Sequence, residues 1–450
     1  MNFFASDILS NKTYRNLFFA QVIALIGTGL ATVALGLLAY DIAGGDAGTV
    51  LGTAMAIKMI AYIGIAPIVG AYANRLPRRA FLVAMDLVRA GVAICLPFVD
   101  QVWQIYILIF LLQSASAAFT PTFQATIPDV LPKEKDYTRA LSLSRLAYDM
   151  ESLTSPMLAA ALLTIIDFHW LFSGTAVGFA LSALLVMATI LPKAASTTTI
   201  RKEGVIAKTT RGMRFYLKTP RLRGLLAITL AAAAASSMVI VNTVVIVRDT
   251  LGLSQTDVAI TLAAFGGGSI IAAFLLPRLL DRISDRRIMI LSAIVMTVAL
   301  AVLTGLTAAF SDLPSFWYMI MAGWFVMGFA YSMSITPSGR LLKRSANADD
   351  RPAIFAAQFS LSHACWLICY PLVGWLGAKM GQEFAFGAMA VIAFAGTLTG
   401  FMIWPANDPD IVPHGHENLA PDHPHLKEAH ASKDGHAFVI DDLHQQWPRG

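Results

Sequence analysis

Twelve stretches of twenty or more predominantly apolar residues, joined by short polar connections, leave this 450-residue chain few ways to fold. They fall at 16–40, 48–73, 80–99, 103–126, 138–165, 169–192, 223–247, 256–280, 287–309, 316–341, 352–377 and 382–404. A helix rises about 1.5 Å per residue, so roughly 20 apolar residues cross the ~30 Å hydrocarbon layer of a bilayer. Inside that layer every backbone polar group must be satisfied internally, which permits helices and closed barrels alone. Barrel strands are only about 10 residues long and alternate in polarity, so they do not fit these runs. The predicted fold is an all-α membrane protein of twelve transmembrane helices. Composition agrees: 56% of residues are apolar and 14% charged, against about 25% charged in soluble domains. The first run begins beyond Tyr14 and has no small-residue cleavage pattern after it, so it reads as a retained span rather than a removable signal.

The basic residues set the topology. Lys12 and Arg15, Arg75 to Arg79, Lys133 to Arg139, Lys193 to Arg223, Arg278 to Arg287, and Arg340 to Arg351 lie on alternate connections. The other side keeps Arg248 and Lys379. Basic loops stay in the cytosol, which predicts that both termini are cytosolic. The net charge of +5 therefore reports topology, and no nucleic-acid partner is needed to explain it. Cys95, Cys365 and Cys369 all fall in spans, so no disulfide framework is implied.

The stretch from Pro192 to Arg223 carries nine basic residues against Glu203 and divides the spans six and six. The expected plan is a first half at 1–192, a basic linker at 193–222, a second half at 223–404 and a polar tail at 405–450. Two echoes relate the halves. Asn74-Arg75-Leu76-Pro77-Arg78-Arg79 after the second span matches Asp281-Arg282-Ile283-Ser284-Asp285-Arg286-Arg287 after the eighth, and Ser155-Pro156 matches Tyr370-Pro371. Repeated halves with a site at their interface are a build of secondary transporters. No nucleotide-binding loop accompanies them, so an ion gradient is the expected energy source and no enzyme activity is expected.

Gly70-Ala-Tyr-Ala-Asn74-Arg75-Leu-Pro-Arg78-Arg79 resembles the signature G-x-x-x-D-R-x-G-R-R between spans two and three of the major facilitator superfamily. Asn74 replaces the usual Asp and Pro77 the usual Gly, whereas Asp281 keeps the acid in the second half. The passage Ala118 to Pro132, with Asp86-Leu-Val-Arg89, is similar to the exporter branch that includes enterobactin exporters and macrolide efflux pumps. A histidine-rich cytosolic tail is similar to the NreB-type nickel-resistance exporters in that branch. The resemblance implies two six-helix pseudo-repeats in the major facilitator fold, a multi-pass place in a bacterial inner membrane, and a monomer. Gly70, Asn74, Arg75, Arg78, Arg79, Asp281, Arg282, Arg286 and Arg287 are the implied gate, their arginines pairing with carboxylates or with negative helix ends. Alternatively, the arginines only anchor the loops on the cytosolic side.

Charges inside spans cost roughly 2.5–3.5 kcal/mol each and usually face the bundle interior. Asp86 with Arg89, and Arg145 with Asp149, are spaced to share a helix face and neutralise each other. Lys58 and Glu151 have no such local partner and lie near the midplane, which makes them candidates for the substrate and proton path or for an ion pair that positions helices. Asp149 and Glu151 point about 200° apart, so one of them at most faces the centre. His363 falls at the same depth in the second half, and Cys365 and Cys369 share a face with one another. A thiol–imidazole set suits a transition metal, while cysteine in a span also serves as a small apolar filler. Gly266 to Gly268 lies within a span and reads as close helix packing.

Seven of nine histidines, His414, His416, His423, His425, His430, His436 and His444, fall in the tail among Glu417, Asp422, Glu428 and Asp434. Nitrogen and oxygen ligands suit nickel, cobalt or zinc, with no tightly held cofactor expected elsewhere. The closing stretch Ala437 to Trp447 is expected to form a short helix docked on the cytosolic face. The leading expectation is export of a divalent transition metal, nickel or cobalt, against protons. Export of a siderophore, drug or other small organic molecule, with the tail as a metal-responsive regulator, is the alternative.

Overall fold

The computed structural model describes residues 8–72, 77–191, 205–347, 350–408 and 438–441, together with His444 and Trp447. The first half holds α1 (Lys12–Ala43), α2 (Ala47–Tyr72), α3 (Arg78–Cys95), α4 (Val102–Val130), α5 (Glu134–Leu162) and α6 (His169–Met187). A linker helix α7 (Val205–Lys218) follows. The second half holds α8 (Pro220–Val245), α9 (Gln255–Leu280), α10 (Asp285–Phe310), α11 (Phe316–Ile335), the short α12 (Ser338–Arg344), α13 (Arg351–Lys379) and α14 (Gln382–Ile403). The twelve expected spans are the twelve long helices. The expected tenth span, 316–341, is shorter: Pro337 stands between α11 and α12, where its ring and missing N–H interrupt a continuous helix.

Among the described residues ten segments are long and apolar enough to cross a membrane, and the first, Lys12–Ile65, spans α1 and most of α2. Of the twelve long helices α5 lies outside that set, and its sequence carries Arg139, Arg145, Asp149 and Glu151. Phe274, Val391 and Met402 point outward, each more than two-thirds exposed, as residues meeting lipid rather than water would. The interior is built on small residues. Ala231 to Ala235 of α8 are fully buried, so neighbouring helices surround this one on all sides.

The repeat is visible in the packing. In the first half α1 packs on α5 and α6, α2 on α4, and α3 on α4 and α6. In the second half α8 packs on α13 and α14, α9 on α11, and α10 on α11 and α14, so each contact has its counterpart. The halves meet through α2 on α13 and α5 on α9, again one contact repeated.

Glycine sets the closest approaches. A Cβ at Gly48 of α2 would lie 3.2 Å from the Gly374 carbonyl of α13, so the backbones of the two halves touch. Gly268 of α9 and Gly328 of α11 likewise sit against the carbonyls of Phe325 and Phe265. The Gly266–Gly268 run is thus a packing seam.

Candidate transport site and its gates

Four groups from α2, α5 and α13 share one electrostatic neighbourhood: Lys58, Tyr62, Glu151 and His363. Lys58 and Glu151 act on each other across the first half, and Lys58 acts on His363 across the interface. Tyr62, one turn beyond Lys58, stacks on the His363 ring at 5.4 Å between centroids with the planes 6° apart. Phe359 packs 4.0 Å from the same imidazole, and Trp366 lies 6.4 Å away. The Lys58 ammonium is 6.0 Å from the Tyr62 ring centre, at the outer edge of a cation–π contact. Glu151 rests against α1 where Gly29 provides the room: a Cβ there would be 2.8 Å from its Oε1. His363 Nδ1 is 2.6 Å from the Phe359 carbonyl, so it donates there and leaves Nε2 as the acceptor.

The other sequence-selected groups do not join the aromatic stack, although Arg89 acts electrostatically on Tyr62 as Glu151 does. Asp86 and Arg89 form an ion pair buried between α3 and α6. Ser182 Oγ donates to Asp86 over 2.7 Å, and the Arg89 guanidinium lies 4.4 Å from the Phe119 ring and 4.5 Å from that of Phe179. The pair is enclosed by its own half, as a packing element would be. Cys365 and Cys369 are buried, and Cys365 Sγ faces the Leu361 carbonyl at 3.6 Å. Among the described residues no three His, Cys, Asp or Glu side chains gather closely enough to hold a metal ion. The side chains of Arg145 and Asp149 lie outside the described residues, as do Asn74, Arg75 and six of the tail histidines, His414, His416, His423, His425, His430 and His436.

The gate residues form two matching joints on the face that carries the basic loops. Arg78, opening α3, pairs with Asp129 near the end of α4. Arg79 donates to the Thr189 carbonyl just past α6, 3.4 Å away. In the second half Arg286 donates to the carbonyls of Phe401, 3.1 Å, and Trp404, 2.9 Å, at the end of α14. Asp285, the counterpart of Arg78, faces Arg340 at 3.7 Å. The negative end of a helix dipole and a carboxylate are thus the partners in both halves. Asp281, Arg282 and Arg287 are exposed beside the second joint, and Gly70 lies in the last turn of α2.

On the opposite face the halves are joined directly. Lys379 Nζ meets Asp46 Oδ1 at 2.9 Å, Thr49 Oγ1 donates to the Gly374 carbonyl at 3.4 Å, and Thr256 Oγ1 donates to the Leu163 carbonyl at 3.1 Å. The ion pairs described at the basic face stay within one half or tie α7 to α13 through Arg211 and Asp350, 3.1 Å apart. Tyr216 of α7 also donates to Gln358 of α13, and burial raises its phenol above the usual range.

The described residues of the closing stretch, 438–441 with His444 and Trp447, dock without the expected helix. Phe438, Val439 and Ile440 are buried in irregular backbone, and the Arg221 guanidinium lies 5.0 Å from the Trp447 ring. Asn347 Nδ2 donates to Asp441 at 3.1 Å. Asp408 Oδ1 stands 3.6 Å from Arg221, while its Oδ2 accepts from Arg344 and from Trp404 Nε1, the latter at 3.1 Å. His444, expected to bind metal with its neighbours, is 7% exposed here; its Nδ1 is 3.0 Å from Asp441 and its ring packs on Phe438. In this arrangement it is a docking residue.

The family described as transmembrane secretion effector matches residues 5–334. The chain belongs to that family. Its members and the relatives below are transporters of the major facilitator type, so this chain is a transporter and not an enzyme. It is similar to an uncharacterized MFS-type transporter of Bacillus subtilis, YfiS, with 23% identity over 352 residues, 75% of this chain and 81% of the relative. It is also similar to macrolide efflux protein A of Enterococcus faecalis, with 22% identity over 239 residues, 50% of this chain and 73% of that one. Among solved structures, an inward-facing, unoccupied bacterial homolog of the human lysosomal transporter Spinster has a TM-score of 0.67 at 12% identity, covering 90% of this chain and 97% of that one. A D-xylose–proton symporter has a TM-score of 0.62 at 16% identity, covering 88% and 97%. The fold expected from the spans and the two half-repeats is therefore the one observed.

Two contributors escaped the sequence. Tyr62 sits four residues after Lys58, a spacing that places both on one helix face, and that was the available signal. Asp408 carried none, because its partners lie 64 and 187 residues away in Arg344 and Arg221.

Proposed function

We propose that the protein exports a small organic molecule, cationic and partly apolar, across a bacterial inner membrane in exchange for protons. The observation that carries this reading is the stack of Tyr62, His363 and Phe359 beside Lys58 and Glu151, drawn from both halves. Aromatic faces bind flat or cationic organic groups through dispersion and cation–π attraction, worth about 0.5–2 kcal/mol each. Glu151 supplies the coupling. Ionised, it balances Lys58; protonated, it frees that charge balance, so proton and cationic substrate compete for one carboxylate. Competition of this kind makes binding of one cargo release the other, the requirement for antiport. The positive-inside rule places the basic face in the cytosol, so contacts across the opposite face make this an inward-facing form that receives cytosolic substrate. Likeness to a macrolide efflux protein supports the substrate class and the direction.

A second reading is favoured by one specific feature, the histidines at 414–436. Export of nickel or cobalt would use Glu151 and His363 as carriers and the tail as a collector, with Ni²⁺, Co²⁺ or Zn²⁺ on its imidazoles. Everted vesicles carrying an imposed proton gradient separate the two readings. The first predicts accumulation of a cationic macrolide, lost in Glu151→Gln, without nickel-63 uptake. Nickel uptake with no macrolide movement would reverse the order, and gradient-driven uptake unchanged by Glu151→Gln would remove Glu151 from either.

A further inference from the structure

A cavity of about 460 Å³ opens on the face opposite the basic loops, between the ends of helices from both halves. Its lining includes Asp46 from the first half and Asp249 and Gln382 from the second. Gln382 is the unusual member. It is 9% exposed, yet neither its carboxamide oxygen nor its nitrogen meets a hydrogen-bond partner. Leaving such a group buried and unmet is costly, so a ligand that meets it is favoured. Asn242, fully buried beside it, repeats the pattern: its nitrogen donates to the Val373 carbonyl at 3.1 Å while its Oδ1 has no partner. Both carboxamides converge on Gly377, where a Cβ would stand 2.9 Å from Asn242 Oδ1 and 3.1 Å from Gln382 Nε2. The absence of a side chain at Gly377 makes room for the Gln382 amide and for the unpartnered Asn242 Oδ1.

The polar groups lining this space include the carboxylates of Asp46 and Asp249 and the carboxamide of Gln382, whose oxygen and nitrogen exchange places when the amide flips. An all-oxygen set selects a hard cation, in contrast to the nitrogen-rich tail. One cationic group is already present at the rim, since Lys379 reaches across to Asp46 at 2.9 Å. It joins the two halves at the closed face, and a metal cation lodged between Asp46, Asp249 and Gln382 would join them in the same way.

We infer that the cavity bordered by Asp46, Asp249 and Gln382 is a binding site for a hard cation, calcium or sodium, that bridges the two halves and stabilises the closed opposite face. The site is separate from the centre at Glu151 and does not depend on what that centre carries. Occupancy would hold the transporter with its basic face open, so the cation regulates the return step rather than travelling as cargo.

The test is thermal unfolding of the full chain in detergent micelles, titrated with calcium chloride or sodium chloride at ionic strength held constant with choline chloride. The expected result is a saturable rise of several degrees with at least one of the two cations. Asp249→Asn and Gln382→Leu should each weaken the apparent affinity about tenfold or more. Lys379→Ala removes the competing ammonium and should tighten it several-fold, a gain that misfolding cannot imitate. No saturable rise in the wild-type protein, or a rise of equal midpoint in all four chains, would overturn the inference.

Discussion

The two halves share a skeleton and differ in what they put inside it. At the basic face both tie the start of the third helix of the half to the end of its sixth and to its fourth or the short helix that follows it, through Arg78–Asp129 and Arg79–Thr189 in one and Asp285–Arg340 and Arg286–Trp404 in the other. The polarity of the first pair is reversed: arginine opens α3 where aspartate opens α10. At the centre the likeness ends. The charges Lys58 and Glu151 and the Tyr62 ring belong to the first half, while the second contributes His363, Phe359 and Trp366. A joint needs opposite charges at a fixed separation and is indifferent to which side carries which. A transport site needs chemistry, and here one half supplies the charge while both supply the aromatic surface.

The largest effect should come from breaking that central asymmetry. Counting from the aligned prolines, Trp366 is the counterpart of Glu151. Glu151→Gln should lower proton-driven export about 100-fold or more, by analogy with removal of a proton-transfer group. Trp366→Phe keeps an aromatic face and should change export less than about threefold, raising the substrate concentration at half-maximal rate instead. Equal losses in initial-rate assays would mean that the halves contribute alike.

Next in size is the joint of the first half. Arg78 is 7% exposed, so Arg78→Asp opposite Asp129 should destabilise by about 3 kcal/mol, read as a lowered melting temperature. The double exchange Arg78→Asp with Asp129→Arg copies the polarity of the second half and should recover most of the loss. Failure to recover would show that the polarity is not free. In the second half Arg340 is 61% exposed, and Arg340→Ala should cost less than about 1 kcal/mol.

The smallest effect concerns the tail. Phe438→Ala should release the docked stretch, seen as faster hydrogen exchange at 438–447, with a melting temperature shift within a few degrees. Nickel bound to the histidines should leave as pH falls through ~6.5, because ligation requires neutral imidazole and protonation removes the acceptor. Retention of nickel at pH 5 would exclude those imidazoles as its ligands.

Much of this arrangement was legible in the sequence because the bilayer makes it so. Apolar runs near 20 residues admit only helices, and an arginine kept beside a span boundary marks a face. The cost of intramembrane charge also singled out Lys58 and Glu151, and the structure brings them into one neighbourhood. The break at Pro337 was written in the sequence yet passed over, because the apolar pattern runs on across it. What stayed hidden depends on contacts between distant segments. Nothing local to Gln382, Asn242 or Asp408 distinguishes them from ordinary polar residues at helix ends. The irregular backbone of Phe438–Ile440 likewise reflects burial against another part of the chain, which overrides an amphipathic pattern suited to a helix.

Transport by alternating access requires the halves to part at the opposite face. Cysteines introduced at Asp46 and Lys379, whose side chains meet across that face, offer the direct measurement: substrate export in vesicles before and after oxidation, then after reduction. Oxidative cross-linking should abolish export and reduction should restore it. Full export by protein shown to be cross-linked would contradict the account.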